Sequence, residues 1–535
     1  MQTTHTSIPA NPDRATAPRA VGVLLTLALI LLAMPGCRSG TAVEPHGPDP
    51  TRAAELPPIP REFRGVWVAS VANIDWPSAP GLTPDQQRDE LTFLLDICVE
   101  LNLNAVVLQV RPACDAFYPS PIEPWSMYLT GTEGEAPEPT YDPLHFAVAE
   151  AHARGIELHA WFNPFRAGHA TFRGEHADNH ISNTHPELVR TYGRQLWLDP
   201  GDAAARAHSL NVIRDVVERY DIDGVHLDDY FYPYPVNGED GGEVGFPDDT
   251  TYKQYQDAGG TLARDDWRRD NVNTFVRDMY AAVKELKPHV QVGISPFGIY
   301  RPGHPSYIKG FDQYERIYAD AKHWLDAGWC DYFVPQLYWA IDKPDQSFTG
   351  LLRWWHANNT GGRHIYPGLY TSRTEDGSAR AFRATEVPFQ VEWSRILADE
   401  AGVAPGHVHF SMRALLQNRA GLSDTLDATH YARPALTPAS PWLTDARPDP
   451  PQPSSGYTLE SGLLVVSVSP GSLADARAWV VQVQQGGTWT YDVFPTGEAR
   501  VAMPIEDEGA VERVVVWSVD RAGVGSAVVD VPATE

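Results

Sequence analysis

The sequence predicts a (β/α)8 barrel followed by a small all-β module, and three observations support this prediction. Apolar, strand-like runs alternate with amphipathic helical patterns from residue 61 to about 430. Eight such runs occur, and several, such as Ala105–Leu108, lack the polar alternation of a half-exposed strand. After a proline-rich stretch at residues 447–453, only short strand patterns follow. The alternative for the first part is an open doubly wound sheet, but no glycine-rich nucleotide-binding loop supports it.

Strand and helix signals alternate regularly along the predicted barrel. The predicted strands are Phe63–Ala69, Ala105–Val110, Glu157–Phe162, Gly224–Leu227, Gln291–Ser295, Tyr332–Gln336, Ile365–Leu369 and Val408–Ser411. Thr83 and Gln86 predict a capping box, with Pro84 at the first helical position. Asp142 begins the next helix and Gly155 ends it. This alternation is typical of parallel strands covered by helices.

The start of the chain has the features of an export signal. Arg14 and Arg19 precede an apolar run at residues 21–33, which is shorter than the ~20 apolar residues of a membrane-spanning helix. Cys37 follows this run in a context that resembles the lipobox of bacterial lipoproteins. We therefore expect an exported protein anchored to the membrane by lipid on Cys37, in the outer membrane facing the periplasm. A plain secretory signal, cleaved nearby, is the alternative.

The domain boundaries follow from these patterns. We predict a signal peptide over residues 1–37, a tether over 38–60, the barrel over 61–444, a linker over 445–455 and a β-sandwich over 456–535. The segment from Trp517 to Gly523 resembles the last hairpin of fibronectin type III modules on exported enzymes. The proline-rich linker predicts few contacts across the boundary, so truncation after Trp442 is expected to leave the function of the barrel largely unchanged.

Charge and cysteine content exclude several classes of function. The formal net charge of -27 argues against a nucleic-acid partner, because phosphate binding needs a basic face. The three cysteines other than Cys37 cannot form a disulfide framework, and no Cys/His spacing indicates zinc. We therefore expect no cofactor and no metal. The alternative is a mixed metal site made by His159, His226, Asp228 and Asp229 at the barrel mouth.

Polar and aromatic residues gather where the predicted strands end, which is where barrel enzymes place their active sites. The clearest group is Gly224–Asp229, in which strand alternation puts His226 and Asp228 on one side and Asp229 on the other. Glycoside hydrolysis needs two carboxyl groups, roughly 5 Å apart for retention and about 6.5–9.5 Å apart for inversion. Asp228 is the candidate nucleophile or base, Asp229 is a further candidate, and Asp342 and Asp115 are the leading candidates for the acid.

Other side chains at the strand ends are candidates for sugar binding. Aromatic rings stack on the apolar faces of sugars, and arginines can clamp acidic substituents on the substrate. The candidate substrate-binding residues are Arg64, Trp67, Gln109, Arg111, His159, Trp161, Asn163, Arg166, His226, Tyr230, Gln336, Tyr338 and Trp339. Each aromatic residue could instead pack the barrel, and each arginine could instead pair with a barrel aspartate. The proline-interrupted segment 230–235 is expected to form one wall of the cleft, with Tyr232 and Tyr234 facing the sugar.

Several long motifs of the predicted barrel resemble a known family. They are Arg61–Trp67, Asp75–Pro77, Gln109–Pro112, Asp142–Leu144, His159–Pro164, Asp228–Pro233 and Pro335–Trp339. These motifs are similar to those of the family 10 glycosylhydrolase-like lipoproteins, also called the domain of unknown function 187 group. The resemblance covers residues 61 to about 430 and implies a (β/α)8 barrel, a location in the envelope and glycosidase chemistry. One family member is a divisome-localised glycosidase that digests peptidoglycan glycan strands lacking stem peptides.

These expectations combine into one predicted function and two alternatives. The chain is predicted to hydrolyse an envelope polysaccharide, with peptidoglycan glycan strands lacking stem peptides as the first substrate expected from the resemblance. Its expected partners are that polysaccharide, the membrane through Cys37, and cell-division or envelope proteins. The alternatives are a non-catalytic glycan-binding lipoprotein and a metal-dependent polysaccharide deacetylase.

Overall fold

The computed structural model describes residues 56–534, apart from residues 173, 240, 445, 470–475 and 506–509. The predicted signal peptide, Cys37 and most of the predicted tether therefore lie outside the described residues. Among the helices that are described, none combines the length and the apolar character needed to cross a membrane.

The predicted barrel is confirmed as a closed parallel sheet with eight strand positions. The strands are β1 (Phe63–Val68), β2 (Ala105–Arg111), β3 (Glu157–Phe162), β4 (Gly224–Leu227), β5 (Gln291–Ile294), β6 (Tyr332–Phe333), β7 (His364–Ile365 with Gly368–Leu369) and β8 (Gly406–His409). Neighbouring strands pair in parallel from β8 through β1 to β7. The two pieces of β7 pair with β6 and with β8, and this closes the barrel. The observed closure excludes the doubly wound alternative.

Helices cover the outside of the sheet. The helices that cover the strands are α1 (Pro84–Glu100), α2 (Pro143–Ala153), α3 (Ala203–Arg219), α4 (Arg264–Leu286), α5 (Ala321–Asp326), α6 (Phe348–Ala357), α7 (Glu386–Ala401) and α8 (Leu422–Ala428). Further helices in the loops are Met127–Thr130, Ile181–Thr184, Asp249–Asp257, Gln313–Arg316 and Met412–Leu416. The capping box of Thr83 and Gln86 is formed as predicted, and Asp142 caps α2. Both caps satisfy backbone N–H groups at a helix start, which explains why the helices begin there.

Two apolar layers hold the barrel together. One lies between strands and helices, and the other fills the barrel interior with large rings that include Phe63, Tyr332 and Tyr366. Gly224 at the start of β4 has no room for a side chain, because an added Cβ would lie 2.1 Å from His159 Nδ1. The filled interior makes the barrel a packed core, so the only place for chemistry is at its ends.

The C-terminal region forms two antiparallel sheets that share an apolar core. Its strands are β9 (Thr458–Glu460), β10 (Leu463–Ser467), β11 (Ala476–Gln485), β12 (Thr488–Pro495), β13 (Arg500–Pro504), β14 (Val511–Asp520) and β15 (Val529–Asp530). One sheet has the order β9-β10-β13 and the other has the order β12-β11-β14-β15. The prediction of an all-β module after the linker agrees with these sheets.

The C-terminal module packs against the amino ends of the barrel strands. Arg477 donates to the carbonyl oxygen of Ile156 before β3 and lies 3.4 Å from the carboxylate of Asp223 before β4. Tyr491 donates to the carbonyl oxygen of Pro434 over 2.8 Å. A separate apolar cluster joins the two parts of the chain, with Ile59 and Leu436 on one side and Val480 and Val519 on the other. The expectation that few contacts cross the boundary is therefore wrong, because residues of β11 and β14 pack against the barrel.

Candidate active site

Two adjacent carboxyl groups lie at the carboxyl end of β4. Asp228 and Asp229 are 6% and 2% exposed, directly after the strand ends at Leu227. Strand alternation predicted that they would face opposite ways. The strand stops before them, however, and each side chain contacts another part of the barrel: Asp228 contacts Trp161 in β3, and Asp229 contacts Gln336 after β6. The structure therefore brings both carboxyl groups to the mouth, beside each other.

Asp228 is surrounded by hydrogen-bond donors. One carboxylate oxygen accepts from Trp161 Nε1 over 3.1 Å and from the amide of Asn163. The other oxygen accepts from the backbone N–H of Tyr230 over 3.1 Å. Burial raises the pKa of Asp228, while the charge of Arg166 and these donors oppose the increase. Donors to both oxygens favour the ionised form, so Asp228 is suited to carry negative charge.

Asp229 has a different environment that favours the protonated form. Burial, together with the charge of Asp228, raises the pKa of Asp229 to about 7. Its carboxyl group is hydrogen-bonded by the hydroxyl of Tyr234 and by the side chain of Gln336. A carboxyl group with a pKa near neutrality can donate a proton at the pH where most enzymes work.

Arg166 and several aromatic rings surround these two acids. The Arg166 guanidinium lies 4.3 Å from the centre of the Tyr230 ring, and its buried Nε has no hydrogen-bond partner among the described residues. Tyr230, Tyr338 and Trp339 are half-buried, so parts of their rings remain accessible at the mouth. The Trp339 ring packs edge-on against Phe297 at 5.6 Å. Partly accessible rings beside buried acids form a surface that can stack on sugars.

Two predicted binding residues instead hold the site in place. Gln109 is fully buried and donates to Asn163 Oδ1 over 2.6 Å. Asn163 in turn donates to Asp228. Arg111 is also fully buried, and all its nitrogens have partners, including Glu123 and the carbonyl oxygen of Pro164. The prediction that Arg111 clamps the substrate is wrong, because its guanidinium has no free donor.

Arg64 was also predicted to bind substrate, and the structure contradicts this. Arg64 lies at the start of β1, at the opposite end of the barrel from Asp228. It is 4% exposed, pairs with Glu62 over 2.7 Å and stacks on Tyr431. Its position follows from the strand direction, because only residues at the carboxyl end of a barrel strand reach the mouth.

The two leading candidates for the acid lie away from Asp229. Asp342 is exposed in the loop after β6. Asp115 is buried, accepts from the backbone N–H of Ala113 over 2.7 Å and lines a separate pocket with Glu133 and His176. Burial raises the pKa of Asp115 to about 7, and the charge of Glu133 contributes. Asp115 and Asp229 are both buried and both have a raised pKa, but they contact different residues.

The two candidate histidines lie below the acids, in the barrel interior. His226 accepts from Trp67 Nε1 over 3.2 Å, and its Nδ1 lies 3.0 Å from the Tyr332 hydroxyl. His159 contacts the same hydroxyl over 2.8 Å, and its Nε2 lies 3.2 Å from Glu157. Each ring nitrogen thus has a protein partner, and these residues do not form a metal-binding group among the described residues. The predicted substrate contacts of His159, His226 and Trp67 are replaced by contacts within the core.

The sequence reasoning also misjudged the loop after β4. Tyr232 is 1% exposed and packs edge-on against Phe246 and Tyr318, so it is part of the core and not of the cleft wall. Tyr234 donates its hydroxyl hydrogen to Asp229, a contact that no local sequence pattern indicates. Glu133, His176 and His180 form a cluster that no compact His motif in the sequence indicates, because the loops after β2 and β3 supply its members.

Comparisons with known proteins identify relatives of this chain. A family model described as "Glycosyl hydrolase-like 10" matches residues 62–380. "Glycosyl hydrolase YngK" from Bacillus subtilis is 40% identical over 402 residues, which cover 73% of this chain and 76% of the relative. "Glycosyl hydrolase DigH" from Escherichia coli is 33% identical over 363 residues, which cover 63% of this chain and 79% of the relative.

Among solved structures, the catalytic domain of a β-amylase from Paenibacillus polymyxa is similar, with a TM-score of 0.46 and 11% identity. The similarity covers 70% of this chain and 100% of that chain, but it is too distant to bear on function. The family match spans most of the barrel, including β4 and the two acids at its end. This chain belongs to the Glycosyl hydrolase-like 10 family.

Proposed function

We propose that this protein is a glycoside hydrolase that cleaves a polysaccharide of the bacterial cell envelope. The observation that carries the proposal is the pair of adjacent buried carboxyl groups, Asp228 and Asp229, in unlike environments. Membership of a glycosyl hydrolase-like family supports the reaction class, and both relatives carry the name glycosyl hydrolase.

In the proposed mechanism, Asp229 is the general acid. With a pKa of about 7, it holds a proton that it can give to the oxygen of the leaving sugar as the glycosidic bond breaks. Asp228 is the ionised partner, and it stabilises the positive charge that develops on the sugar ring in the oxocarbenium-like transition state. A water molecule supplies the new oxygen bond to the anomeric carbon, and its proton restores the protonated form of Asp229. The donors from Trp161 and Asn163 keep Asp228 oriented while this charge develops.

The proposed substrate is the glycan strand of peptidoglycan after its stem peptides have been removed. The half-buried rings of Tyr230, Tyr338 and Trp339 support a chain of sugars, since pyranose faces stack on aromatic rings. The resemblance of the barrel motifs to a family with such a member supports this particular glycan. The export signal and the lipobox-like context of Cys37 support a site of action in the envelope, with the protein anchored by lipid on the periplasmic side of the outer membrane.

The C-terminal module is proposed to be fibronectin type III-like and to act as a spacer. Its seven described strands form sheets with the orders β9-β10-β13 and β12-β11-β14-β15. The module packs near the amino ends of β3 and β4, far along each strand from the candidate site. This position supports a role in holding the barrel and not in touching the reacting sugars.

The test is to incubate the purified protein with peptidoglycan glycan strands lacking stem peptides and to count new reducing ends. The wild type and Asp342→Asn, which changes an exposed acid, should release shorter strands, whereas Asp229→Asn should release almost none. Strand binding, measured in parallel, should persist in Asp229→Asn. Binding by the wild type without new reducing ends would instead make the protein a glycan-binding lipoprotein, and release of acetate would make it a deacetylase.

A further inference from the structure

Arg166 differs from the other buried arginines in having no acid against it. Five arginines are buried among the described residues. Four of them form ion pairs with a carboxylate 2.5–2.7 Å away, and these are Arg64, Arg111, Arg268 and Arg269. Arg166 is 4% exposed, and it forms no ion pair within 4 Å in the described part of the chain. A buried charge is costly unless an opposite charge lies against it, so an anion from outside the protein would complete this environment.

The guanidinium of Arg166 also has donors that the protein does not use. Its one hydrogen bond to the described residues runs from Nη1 to the carbonyl oxygen of Pro112 over 3.3 Å, which is long for a bond of this kind. Nε is buried without a partner, and Nη2 likewise has none among the described residues. These two nitrogens form one edge of the guanidinium. A carboxylate can match such an edge with two parallel hydrogen bonds.

The fold holds Arg166 beside the proposed catalytic pair. Residues Arg166–Gly168 form a short strand that pairs antiparallel with Gln195–Leu198. The guanidinium lies 4.3 Å from the centre of the Tyr230 ring and 5.9 Å from that of Trp197. Its charge opposes the rise in the pKa of Asp228, but three other donors already occupy the oxygens of that carboxylate. Arg166 therefore lies near Asp228 without being hydrogen-bonded to it.

We propose that Arg166 binds a carboxylate carried by the sugar that lies beside Asp228. The inference rests on the proposed function and adds that the glycan is acidic at that sugar. A guanidinium stacked on a ring keeps its N–H donors in its own plane, so the contact with Tyr230 leaves them free for the ligand. In peptidoglycan, the lactyl group of alternate sugars ends in a free carboxylate only after the stem peptide has been removed. An attached peptide makes this group a neutral amide, so Arg166 selects strands without stem peptides.

The test compares two forms of the same glycan strands lacking stem peptides. One form keeps its lactyl carboxylates, and in the other form they are converted to neutral methylamides. The full-length wild type should cleave the carboxylate form with a kcat/KM at least about tenfold higher, as expected for a charge-assisted pair of hydrogen bonds. In Arg166→Gln this ratio should fall to about one. Arg194→Gln is the matched control, since Arg194 is exposed next to the strand Gln195–Leu198, and it should keep the wild-type ratio.

The ratio of the two rates separates carboxylate binding from a merely structural role of Arg166. If Arg166 only balanced the charge of Asp228, Arg166→Gln would lower both rates equally and leave their ratio unchanged. That result would overturn the proposal, and so would equal cleavage of both forms by the wild type, which needs no variant to fold. Arg166→Lys keeps the charge but lacks the edge with two donors, so its ratio should lie between those of the wild type and Arg166→Gln.

Binding of a single sugar provides a measurement that does not depend on cleavage. The probes are N-acetylmuramic acid and its methylamide, neither of which contains a glycosidic bond to another sugar, and calorimetry gives their affinities. The wild type and Arg194→Gln should bind the acid at least about tenfold more tightly than the methylamide, whereas Arg166→Gln should bind both alike. This preference without any cleavage of strands would support the carboxylate site and contradict the proposed hydrolysis. Equal cleavage of both strand forms would support hydrolysis and overturn the site, and neither binding nor cleavage would overturn both.

Discussion

The buried acids at the two ends of the barrel differ in whether they form ion pairs. At the amino end, Glu62 pairs with Arg64 and Arg395, each at 2.7 Å, and Asp223 lies 3.4 Å from Arg477. At the carboxyl end, Asp228 and Asp229 form no ion pair within 4 Å among the described residues, although they are equally buried. The pKa values differ accordingly. Burial would raise the pKa of Asp223, but Arg477 and His152 hold it well below its usual range. The pKa of Asp229, in contrast, rises to about 7.

This contrast separates acids that stabilise the fold from acids that can react. A paired carboxylate contributes to stability and has a fixed charge, as in a structural ion pair. An unpaired buried acid costs stability, and such groups are found mainly at functional sites. Glu123 shows that the rule concerns pairing and not position, because it follows β2 yet pairs with Arg111. Burial alone would raise the pKa of Glu123, but Arg111 and His208 lower it to about 2.

The largest expected effect is the loss of turnover at the carboxyl end. Asp228→Asn should lower kcat on glycan strands by roughly a thousandfold or more, because the charge that stabilises the transition state is removed. The melting temperature should change little, since asparagine keeps the shape and its one carbonyl oxygen can still accept from Trp161 and Asn163. The backbone N–H of Tyr230 loses its acceptor, but removal of an unpaired buried charge offsets this cost. The measurement is kcat of Asp228→Asn on glycan strands, compared with the wild type and with Asp342→Asn as the control. Retention of more than about a tenth of wild-type activity would exclude Asp228 from the reaction.

The next effect tests which aromatic residues belong to the core. Tyr232→Ala should lower the free energy of unfolding by about 3–5 kcal/mol, as expected for a large buried ring, and should affect all substrates equally. Trp339→Ala should cost little stability but should reduce activity on long glycans more than on short ones, because its half-buried ring can stack on a distant sugar. Urea unfolding and rates on two chain lengths measure both effects. The opposite pattern would place Tyr232, and not Trp339, in the cleft.

A smaller effect is expected at the amino end. Arg477→Ala should lower the free energy of unfolding by about 2 kcal/mol, because the buried carboxylate of Asp223 loses a charged neighbour. Activity per folded molecule should remain unchanged, since Asp223 precedes β4 and the site follows it. Arg500→Ala, which alters an exposed ion pair in the same module, is the control and should have almost no effect on unfolding. A large fall in activity of the folded variant would show that the two ends are coupled.

The smallest effect concerns the pH dependence of the reaction. If Asp229 is the general acid, kcat/KM should fall as the pH rises through about 7, where its proton is lost. Tyr234→Phe removes a hydrogen bond that lowers the pKa of Asp229, so this fall should move to higher pH by roughly one unit. Tyr280→Phe changes a similar Tyr–Asp contact, to Asp331, and should leave the profile unchanged. A Tyr234→Phe profile identical to that of the wild type would argue against Asp229.

The sequence by itself determined the barrel, its eight strands and the position of Asp228 and Asp229 at a strand end. These features depend on local patterns: apolar runs, helix caps and the direction of each strand are all recorded in neighbouring residues. The same local reasoning could not separate Arg166 from Arg64 and Arg111, since all three lie in barrel motifs. Only the fold showed that Arg64 points away from the mouth and that Arg111 has no free donor.

Only the tertiary structure decided the partners of each acid. The pKa of Asp229 depends on burial, on Asp228, and on Tyr234 and Gln336, and Gln336 lies more than a hundred residues away along the chain. The cluster of Glu133, His176 and His180 likewise joins two loops that no spacing rule connects. The sequence also did not predict the contacts of Arg477 with the barrel, because a proline-rich linker separates the two parts of the chain. Electrostatic environment is set by neighbours in space, and a single sequence records neighbours along the chain.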